Sequence, residues 1–229
     1  MSPLQAIVQA LFPTTCCVCG RTLAYGERQL CLHCIASLEV EPAAPGMAGR
    51  VEQLLTGRVP FQSAAALYRF AQGGAVQAVV HSMKFHGNDA LCRMMGRQLG
   101  LSLVADGRFD EVDVLVPVPL HWRRSLARGY NQSELLCRGI AEVMPRKVES
   151  KAVVRHRYTH KQSRQWSAAR RAGNVDAAFS VRHPERLEGR HVLLVDDVVT
   201  TGATLTACAD ALKGVPGIRI SVATLCVAG

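Results

Sequence analysis

Two mainly aliphatic runs constrain this chain more than any other feature of its sequence. The first is VDVLVPVP at 112–119, and the second is HVLLV at 191–195. A strand that reads as continuously apolar is buried on both faces, which is typical of a parallel sheet covered by helices. The two runs therefore predict the buried strands of an α/β domain.

Helical and extended patterns alternate along much of the remaining chain. Apolar residues recur at helical spacing in 73–85 and again in 88–104, where Asn88 is a candidate N-cap. The same patterns predict helices at 131–144 and 203–214 and strands at 63–70, 152–154 and 219–228. Such alternation is typical of a parallel sheet with helices on both faces.

Four of the nine cysteines form two closely spaced pairs near the start of the chain. Each C-x-x-C turns two thiolates toward one point, and two such pairs complete a tetrahedral site suited to zinc. Cys17 and His33 lie inside the pairs as competing ligands, and redox use of one pair is the alternative. We predict a structural zinc site with the ligands Cys16, Cys19, Cys31 and Cys34.

The start of the chain and its overall hydropathy indicate a cytoplasmic protein. No apolar run approaches the ~20 residues that a membrane span requires. Apolar residues at 4, 7, 8 and 11 predict a short helix, and the segment lacks the basic region and cleavage site of a secretion signal. We expect an N-terminal helix and zinc ribbon at 1–40, a linker rich in Pro, Gly and Ala at 41–61, and the α/β domain at 62–229.

The positive charge of the chain is concentrated in one segment. Residues 120–175 contain thirteen Arg and Lys against three Glu, a balance of +10, so the remainder of the +9 chain nets −1. This distribution predicts an anionic ligand, either a phosphate-rich small molecule or a nucleic acid, with a solvated basic loop as the alternative. Residues 155–176 show no periodicity and are long for a connecting loop, which indicates a functional or mobile segment.

The stretch VLLVDDVVTTGAT at 192–204 predicts a binding site for a phosphate and for hydroxyl groups. In parallel sheets ligands bind beyond the carboxyl ends of the strands, where Asp196 and Asp197 are placed. The turn at 200–204 leads into a helix whose N-terminal N–H groups, with Gly202 and the threonine hydroxyls, suit an oxyanion. The two carboxylates would repel a phosphate but suit the 2′- and 3′-hydroxyls of a ribose, or a Mg²⁺ ion. The combination predicts a ribose 5-phosphate site.

Several of these motifs resemble one protein family. The stretch at 192–204 resembles the phosphoribosyl pyrophosphate (PRPP) signature of type I phosphoribosyltransferases. PVPLHWRRSLARGYNQ, RHRYTHKQS…RRAGNVDAAF and HSMKFHG resemble segments of the ComF family, which is tied to DNA uptake and utilisation in bacteria. A four-cysteine ribbon joined to a phosphoribosyltransferase-like domain, here 62–229, is also that family's arrangement.

The resemblance implies a role for particular residues. Asp196 and Asp197 would hold the ribose hydroxyls of PRPP, which binds with Mg²⁺. The 5′-phosphate would be held by Thr200, Thr201, Gly202, Ala203 and Thr204. The catalytic set implied is Asp196, Asp197, Arg124, Arg128 and Lys161, with the two arginines meeting the pyrophosphate. A mobile hood that closes over the site would contain Arg155, Thr159, Lys161, Gln162, Arg170, Arg171 and Asn174.

The activity implied is glycosyl transfer from PRPP to an acceptor that the sequence does not specify. Two alternatives stay open. One is a non-catalytic single-stranded DNA-binding protein of the competence machinery, and the other is a PRPP sensor that binds without turnover. Possible partners are therefore PRPP or another phosphoribosyl ligand, single-stranded DNA, and proteins of DNA uptake. Aromatic residues in and near the basic segment are few for a base-stacking platform.

Overall fold

A computed structural model describes residues 14–41, 49–85, 87–120, 129–156 and 178–228. Its main sheet contains β1 (Ala64–Phe70), β2 (Val114–Pro117), β3 (Lys147–Val148), β6 (His191–Val199) and β7 (Arg219–Ala228). The strands lie in the order β1-β7-β6-β2-β3, and every neighbouring pair is parallel. The predicted parallel sheet is therefore confirmed, and the strand that carries the paired aspartates lies at its centre.

Helices cover both faces of this sheet, as predicted. In the described part of the chain the helices are α1 (Leu32–Ala36), which lies in the four-cysteine segment, α2 (Arg50–Leu55), α3 (Ala75–Phe85), α4 (Asp89–Asp106), α5 (Gln132–Ala141) and α6 (Ala203–Leu212). Leu193 and Val195 of β6 belong to the core under α3, α4 and α5, whereas Val192 and Leu194 belong to the core under α2 and α6. This alternation explains why the strand is apolar at every position from 192 to 195.

Glycines bring α4 and α5 unusually close together. A Cβ atom on Gly96 would overlap the carbonyl oxygen of Leu136, and one on Gly139 would overlap that of Arg93. The two helices therefore pack backbone against backbone. This contact fixes α5, whose first turn reaches the carboxylate pair of β6.

One predicted strand forms outside the main sheet. Residues 152–154 are predicted to be extended, and the structure has β4 (Val153–Arg155) there. It pairs antiparallel with β5 (Phe179–Val181) in a separate two-stranded sheet, with Val154 opposite Ser180. The edge of the main sheet is occupied instead by β3, which pairs with β2.

The composition of 41–61 predicts a linker, but α2 lies within that segment. Its Val51 and Leu55 are buried under the sheet, and Glu52 accepts hydrogen bonds from the N–H groups of Gly49 and Ala64. A helix of six residues is too short to show a clear apolar period, so composition alone does not reveal it. The division of the chain into domains remains a prediction.

The four-cysteine segment packs against the α/β domain. Leu23 and Leu30 share a hydrophobic core with Val79 and Val80 of α3. Asn88 Nδ2 donates a hydrogen bond of 2.7 Å to Gln29 Oε1. The predicted N-terminal helix lies outside the described residues. Within the ranges that are described, no helix is long and apolar enough to cross a membrane.

Candidate functional site

The paired carboxylates lie inside β6, near its carboxyl end. The aliphatic run of the sequence ends at Val195, but β6 continues to Val199, and Asp196 is opposite Thr224 of β7. The Asp197 N–H donates a hydrogen bond of 2.9 Å to Asp196 Oδ1. The Ser133 hydroxyl, at the start of α5, donates to the same oxygen at 3.1 Å. Both carboxylates are therefore held on ordered backbone at the ligand-binding edge of the sheet.

Lysine 84 pairs with the second carboxylate. Lys84 Nζ lies 3.2 Å from Asp197 Oδ2, and the two side chains are 24% and 14% exposed. Lys84 is in the last turn of α3, so this helix brings a cation to two like charges that would otherwise repel each other. Sequence patterns did not indicate a role for Lys84, although the HSMKFHG element that contains it is one of the motifs that resemble the ComF family.

The environment of Asp196 favours its protonated form. Burial raises the pKa of Asp196, and the neighbouring charge of Asp197 raises it further, to about 7. Hydrogen bonds from the Asp197 N–H and from Ser133, with the charge of Lys84, partly oppose this rise. Because the two carboxylates interact strongly, the pair as a unit takes up a proton near neutrality.

We expect Asp196→Asn to stabilise the protein at neutral and higher pH. The pKa of Asp196 is about 7 in the folded state, against 3.8 for an aspartate in the unfolded chain. Between those values the native state keeps a proton that the unfolded state has lost, so stability falls as pH rises through that window. Asparagine is neutral and still accepts the Ser133 bond. Melting temperatures should show the variant several degrees above wild type at about pH 8, and a much smaller difference at about pH 4.

An exposed aspartate supplies the control for this prediction. Asp210 is half exposed and pairs with Lys213 on the surface, so Asp210→Asn should not produce a stabilisation that grows with pH. An Asp196→Asn variant whose difference from wild type is the same at both pH values would contradict the buried, proton-binding pair.

The turn after β6 has the geometry of an oxyanion site. Gly202 is the N-cap of α6 and adopts a left-handed conformation, with φ 76° and ψ −4°. Its Cβ, if present, would lie 3.2 Å from Leu55 Cδ2, so α2 packs directly beneath the turn. A pocket here is lined by Asp196 and by residues 198–205. The first N–H groups of a helix have no intrahelical partner, and here they lie beside one of the two carboxylates.

Arg58, which lies after α2, forms a hydrogen bond to the backbone of the same turn. Arg58 Nη1 donates a hydrogen bond of 2.6 Å to the carbonyl oxygen of Thr201. Arg58 follows α2 in the segment that composition assigns to a linker, so the sequence did not indicate this contact. It fixes the backbone of the turn and adds positive charge near the N-terminus of α6.

The RGYNQ motif connects three parts of the site. Asn131 caps α5, since its Oδ1 accepts a hydrogen bond from Ser133 N, and its Nδ2 donates to the carbonyl of Val118 after β2. The Tyr130 hydroxyl donates a bond of 2.6 Å to the carbonyl oxygen of Met83 in α3. Local capping chemistry therefore orients Ser133 toward Asp196 and ties α3 to the same edge of the sheet.

Arg155 is the one predicted hood residue that the structure describes. It ends β4, and its guanidinium lies over the ring of Phe179, 5.2 Å from the centroid. Burial raises the pKa of the Cys208 thiol in α6, the charge of Asp196 raises it further, and Arg155 lowers it. Asp196 and Arg155, which carry opposite charges, therefore shift the pKa of the same buried thiol in opposite directions.

The other predicted hood and pyrophosphate residues lie outside the described residues: Arg124, Arg128, Thr159, Lys161, Gln162, Arg170, Arg171 and Asn174.

The four predicted metal ligands come together in one cluster. The sulfur atoms of Cys16, Cys19, Cys31 and Cys34 all lie within 4.8 Å of one another. Cys19 Sγ is 3.8 Å from Cys31 Sγ, which equals the edge of a tetrahedron with zinc–sulfur distances of about 2.3 Å. The competing Cys17 is not part of this cluster. The donor set and its spacing therefore fit a tetrahedral zinc ion.

Backbone N–H groups support the cysteine cluster. Cys31 N donates to Cys16 Sγ at 3.4 Å, and Cys34 N donates to Cys31 Sγ at 3.5 Å. Burial raises the pKa of Cys16, but hydrogen bonds from the backbone of Cys19, Cys31 and Val18 outweigh that effect and lower it to about 6. These contacts stabilise the thiolate form that a metal ion requires.

Fold and site together define a class of protein. A parallel α/β domain that places an acidic pair and a glycine turn at the end of its central strand is of the phosphoribosyltransferase type, and the family model for the phosphoribosyl transferase domain matches residues 132–229. The four-cysteine cluster precedes this domain in the sequence.

Comparison with known sequences then gives the family. DNA utilization protein YhgH of Escherichia coli strain K12 is 31% identical over 225 residues, covering 93% of this chain and 97% of that protein. Competence protein F of Haemophilus influenzae is 32% identical over 148 residues, covering 62% and 64% of the two chains. The chain belongs to the ComF family of DNA utilization and competence proteins.

The chain is also similar to a solved structure. Glutamine PRPP amidotransferase from B. subtilis, complexed with ADP and GMP, aligns with a TM-score of 0.41 and 22% sequence identity. The alignment covers 57% of this chain and 26% of that one.

Proposed function

We propose that this protein binds PRPP with Mg²⁺ and transfers its phosphoribosyl group to an acceptor. One observation carries the proposal: Asp196 and Asp197 lie in β6, and the left-handed residue Gly202 at the start of α6 comes three residues after the end of that strand. Acceptors for hydroxyls and donors for a phosphate are thus a few residues apart at one edge of the sheet. The two groups of a ribose 5-phosphate require this combination.

Two sets of protein groups would bind two different parts of the ligand. The carboxylates of Asp196 and Asp197 accept hydrogen bonds from the ribose 2′- and 3′-hydroxyls. The N–H groups and hydroxyls of Thr200, Thr201, Gly202, Ala203 and Thr204 donate to the 5′-phosphate, which the N-terminus of α6 favours electrostatically. Neither set alone would distinguish a phosphoribosyl ligand from a free sugar or a free phosphate.

Loss of pyrophosphate requires positive charge at the other side of the ribose. Mg²⁺ that arrives with PRPP would neutralise part of the charge on the departing group. We propose that Arg124, Arg128 and Lys161 supply the rest, and that the segment with Arg155, Thr159, Gln162, Arg170, Arg171 and Asn174 excludes water from the cationic ribosyl centre.

A series of ligands tests this proposal through thermal stabilisation. PRPP with Mg²⁺ and ribose 5-phosphate should both raise the melting temperature, because each engages both sets of groups. Ribose and inorganic phosphate at the same concentration should raise it by less than about one degree each. Equal stabilisation by phosphate and by ribose 5-phosphate would show that the carboxylates do not contact the sugar and would contradict the proposal.

We also propose that the cysteine cluster binds a structural zinc ion. Four thiolates at tetrahedral spacing leave no open coordination position, which is typical of structural rather than catalytic zinc. The ion would connect the two C-x-x-C turns and thereby hold the ribbon against α3 and the core that they share. None of the nine cysteines forms a disulfide, which suits a reducing compartment such as the cytoplasm.

Single-stranded DNA is a second candidate ligand, favoured by the charge balance of +10 in residues 120–175 and by the names of the relatives. If the protein binds single-stranded DNA, we also expect it to contact proteins of DNA uptake. DNA bound through that basic segment should bind equally well to wild type and to an Asp196→Ala, Asp197→Ala variant. A PRPP sensor would lose PRPP binding in the same variant and would release no pyrophosphate in wild type.

A further inference from the structure

The ion pair of Lys84 and Asp197 is shielded from solvent on most sides. The Nζ–Oδ2 distance is 3.2 Å, and neither side chain is more than a quarter exposed. An ion pair in such surroundings is stronger than one on the open surface, where its net contribution is small. The contact therefore differs from the many lysine–carboxylate pairs of an ordinary protein surface.

The end of α3 that carries Lys84 is fixed in position. Met83 is fully buried, and its carbonyl oxygen accepts the 2.6 Å hydrogen bond from the Tyr130 hydroxyl. On the same helix Val79 and Val80 pack into the core that α3 shares with the ribbon. The backbone therefore presents Lys84 to the carboxylate pair from a defined point, which is a requirement for a positioning role.

Each carboxylate of the pair is held through one of its two oxygens. Asp196 is held at Oδ1 by Ser133 and by the Asp197 N–H, and Asp197 is held at Oδ2 by Lys84. The other two oxygens, Asp196 Oδ2 and Asp197 Oδ1, have no hydrogen-bond partner within the described part of the chain. Two acceptors in fixed positions are what a vicinal diol requires.

We propose that Lys84 is a positioning residue of the ribose-phosphate site, which fixes Asp197 through Oδ2 and leaves Oδ1 to accept a ribose hydroxyl. Its charge also offsets the repulsion between two adjacent carboxylates. This inference rests on the proposed function, because it assigns the role of Lys84 to a ribose ligand.

Calorimetric titration with ribose 5-phosphate tests the role of Lys84. Lys84→Met should raise the Kd roughly tenfold, because Asp197 loses its orienting partner. Lys84→Arg, which keeps the charge, should stay within about threefold of wild type. Lys213→Met is the matched control, since Lys213 forms a surface pair with Asp210 and should leave the Kd unchanged. Ribose 5-phosphate carries no pyrophosphate, so the probe does not report a contact between Lys84 and that group.

A double-mutant cycle separates positioning from direct contact with the ligand. In an Asp197→Asn background, Lys84→Met should change the Kd by less than about twofold, because the partner through which Lys84 acts is already altered. A full tenfold loss in that background would mean that Lys84 contacts the ligand itself and would overturn the proposal. Equal affinities of wild type and Lys84→Met would overturn it while leaving the proposed function intact. Failure of wild type to bind ribose 5-phosphate and PRPP would overturn both.

Discussion

Gly202→Ala is expected to weaken binding of PRPP by about 100-fold while leaving the protein folded. Gly202 has φ 76°, a conformation that costs a residue with a Cβ about 1–2 kcal/mol. The added methyl group would also press on Leu55 at 3.2 Å. The turn should relieve both effects by shifting, and the N–H groups at the start of α6 would then no longer converge on the 5′-phosphate.

A second glycine provides the matched control for this variant. Gly107 caps the end of α4 with φ 73°, and a Cβ there would meet no atom within 4 Å. Gly107→Ala should therefore destabilise the fold through the same backbone conformation but leave the Kd for PRPP unchanged. Similar affinity losses in both glycine variants, measured by calorimetry, would show that general destabilisation and not the phosphate turn is responsible.

Cys31→Ser is expected to produce the largest loss of stability. Cys31 is fully buried, caps α1, and contributes its sulfur to the four-cysteine cluster. A structural zinc site supplies several kcal/mol of folding free energy, and loss of one thiolate removes most of it. Metal analysis should find about one zinc per chain in wild type and less than half of that in the variant. The melting temperature should fall by roughly 10 °C or more.

The neighbouring Cys17 supplies the control for the zinc prediction. Cys17 lies inside the first C-x-x-C but outside the cluster, and burial raises the pKa of its thiol to about 11. Cys17→Ser should therefore keep its zinc and most of its stability. A Cys31→Ser protein that retains full zinc, or a Cys17→Ser protein that loses it, would contradict the ligand set.

Sequence patterns predicted the sheet because burial on both faces leaves a clear signature. A strand such as 192–195 must be apolar at every position, and the C-x-x-C spacing likewise allows few structures other than a shared metal site. The acidic pair and the glycine turn could be predicted because both belong to one short stretch of the sequence. They are adjacent in sequence, so no knowledge of the tertiary fold was needed to bring them together.

The contacts that support the site could not be predicted in the same way. Lys84, Ser133 and Arg58 lie 113, 63 and 143 residues from their partners Asp197, Asp196 and Thr201. Contacts over such separations depend on how helices pack, which one sequence does not reveal. The short helix α2 shows a second limit, because six residues give too little periodicity to identify against a composition of Pro, Gly and Ala.

Calorimetric titration of PRPP with Mg²⁺ into the zinc-loaded protein tests the central claim most directly. Wild type should bind about one PRPP per chain, and an Asp196→Ala, Asp197→Ala variant should show no heat of binding, because the acceptors for the ribose hydroxyls are gone. The variant should keep its zinc and its melting transition, since neither carboxylate belongs to the cysteine cluster. Absence of binding to wild type at millimolar PRPP, or equal binding by both proteins, would contradict a ribose-phosphate site at this pair.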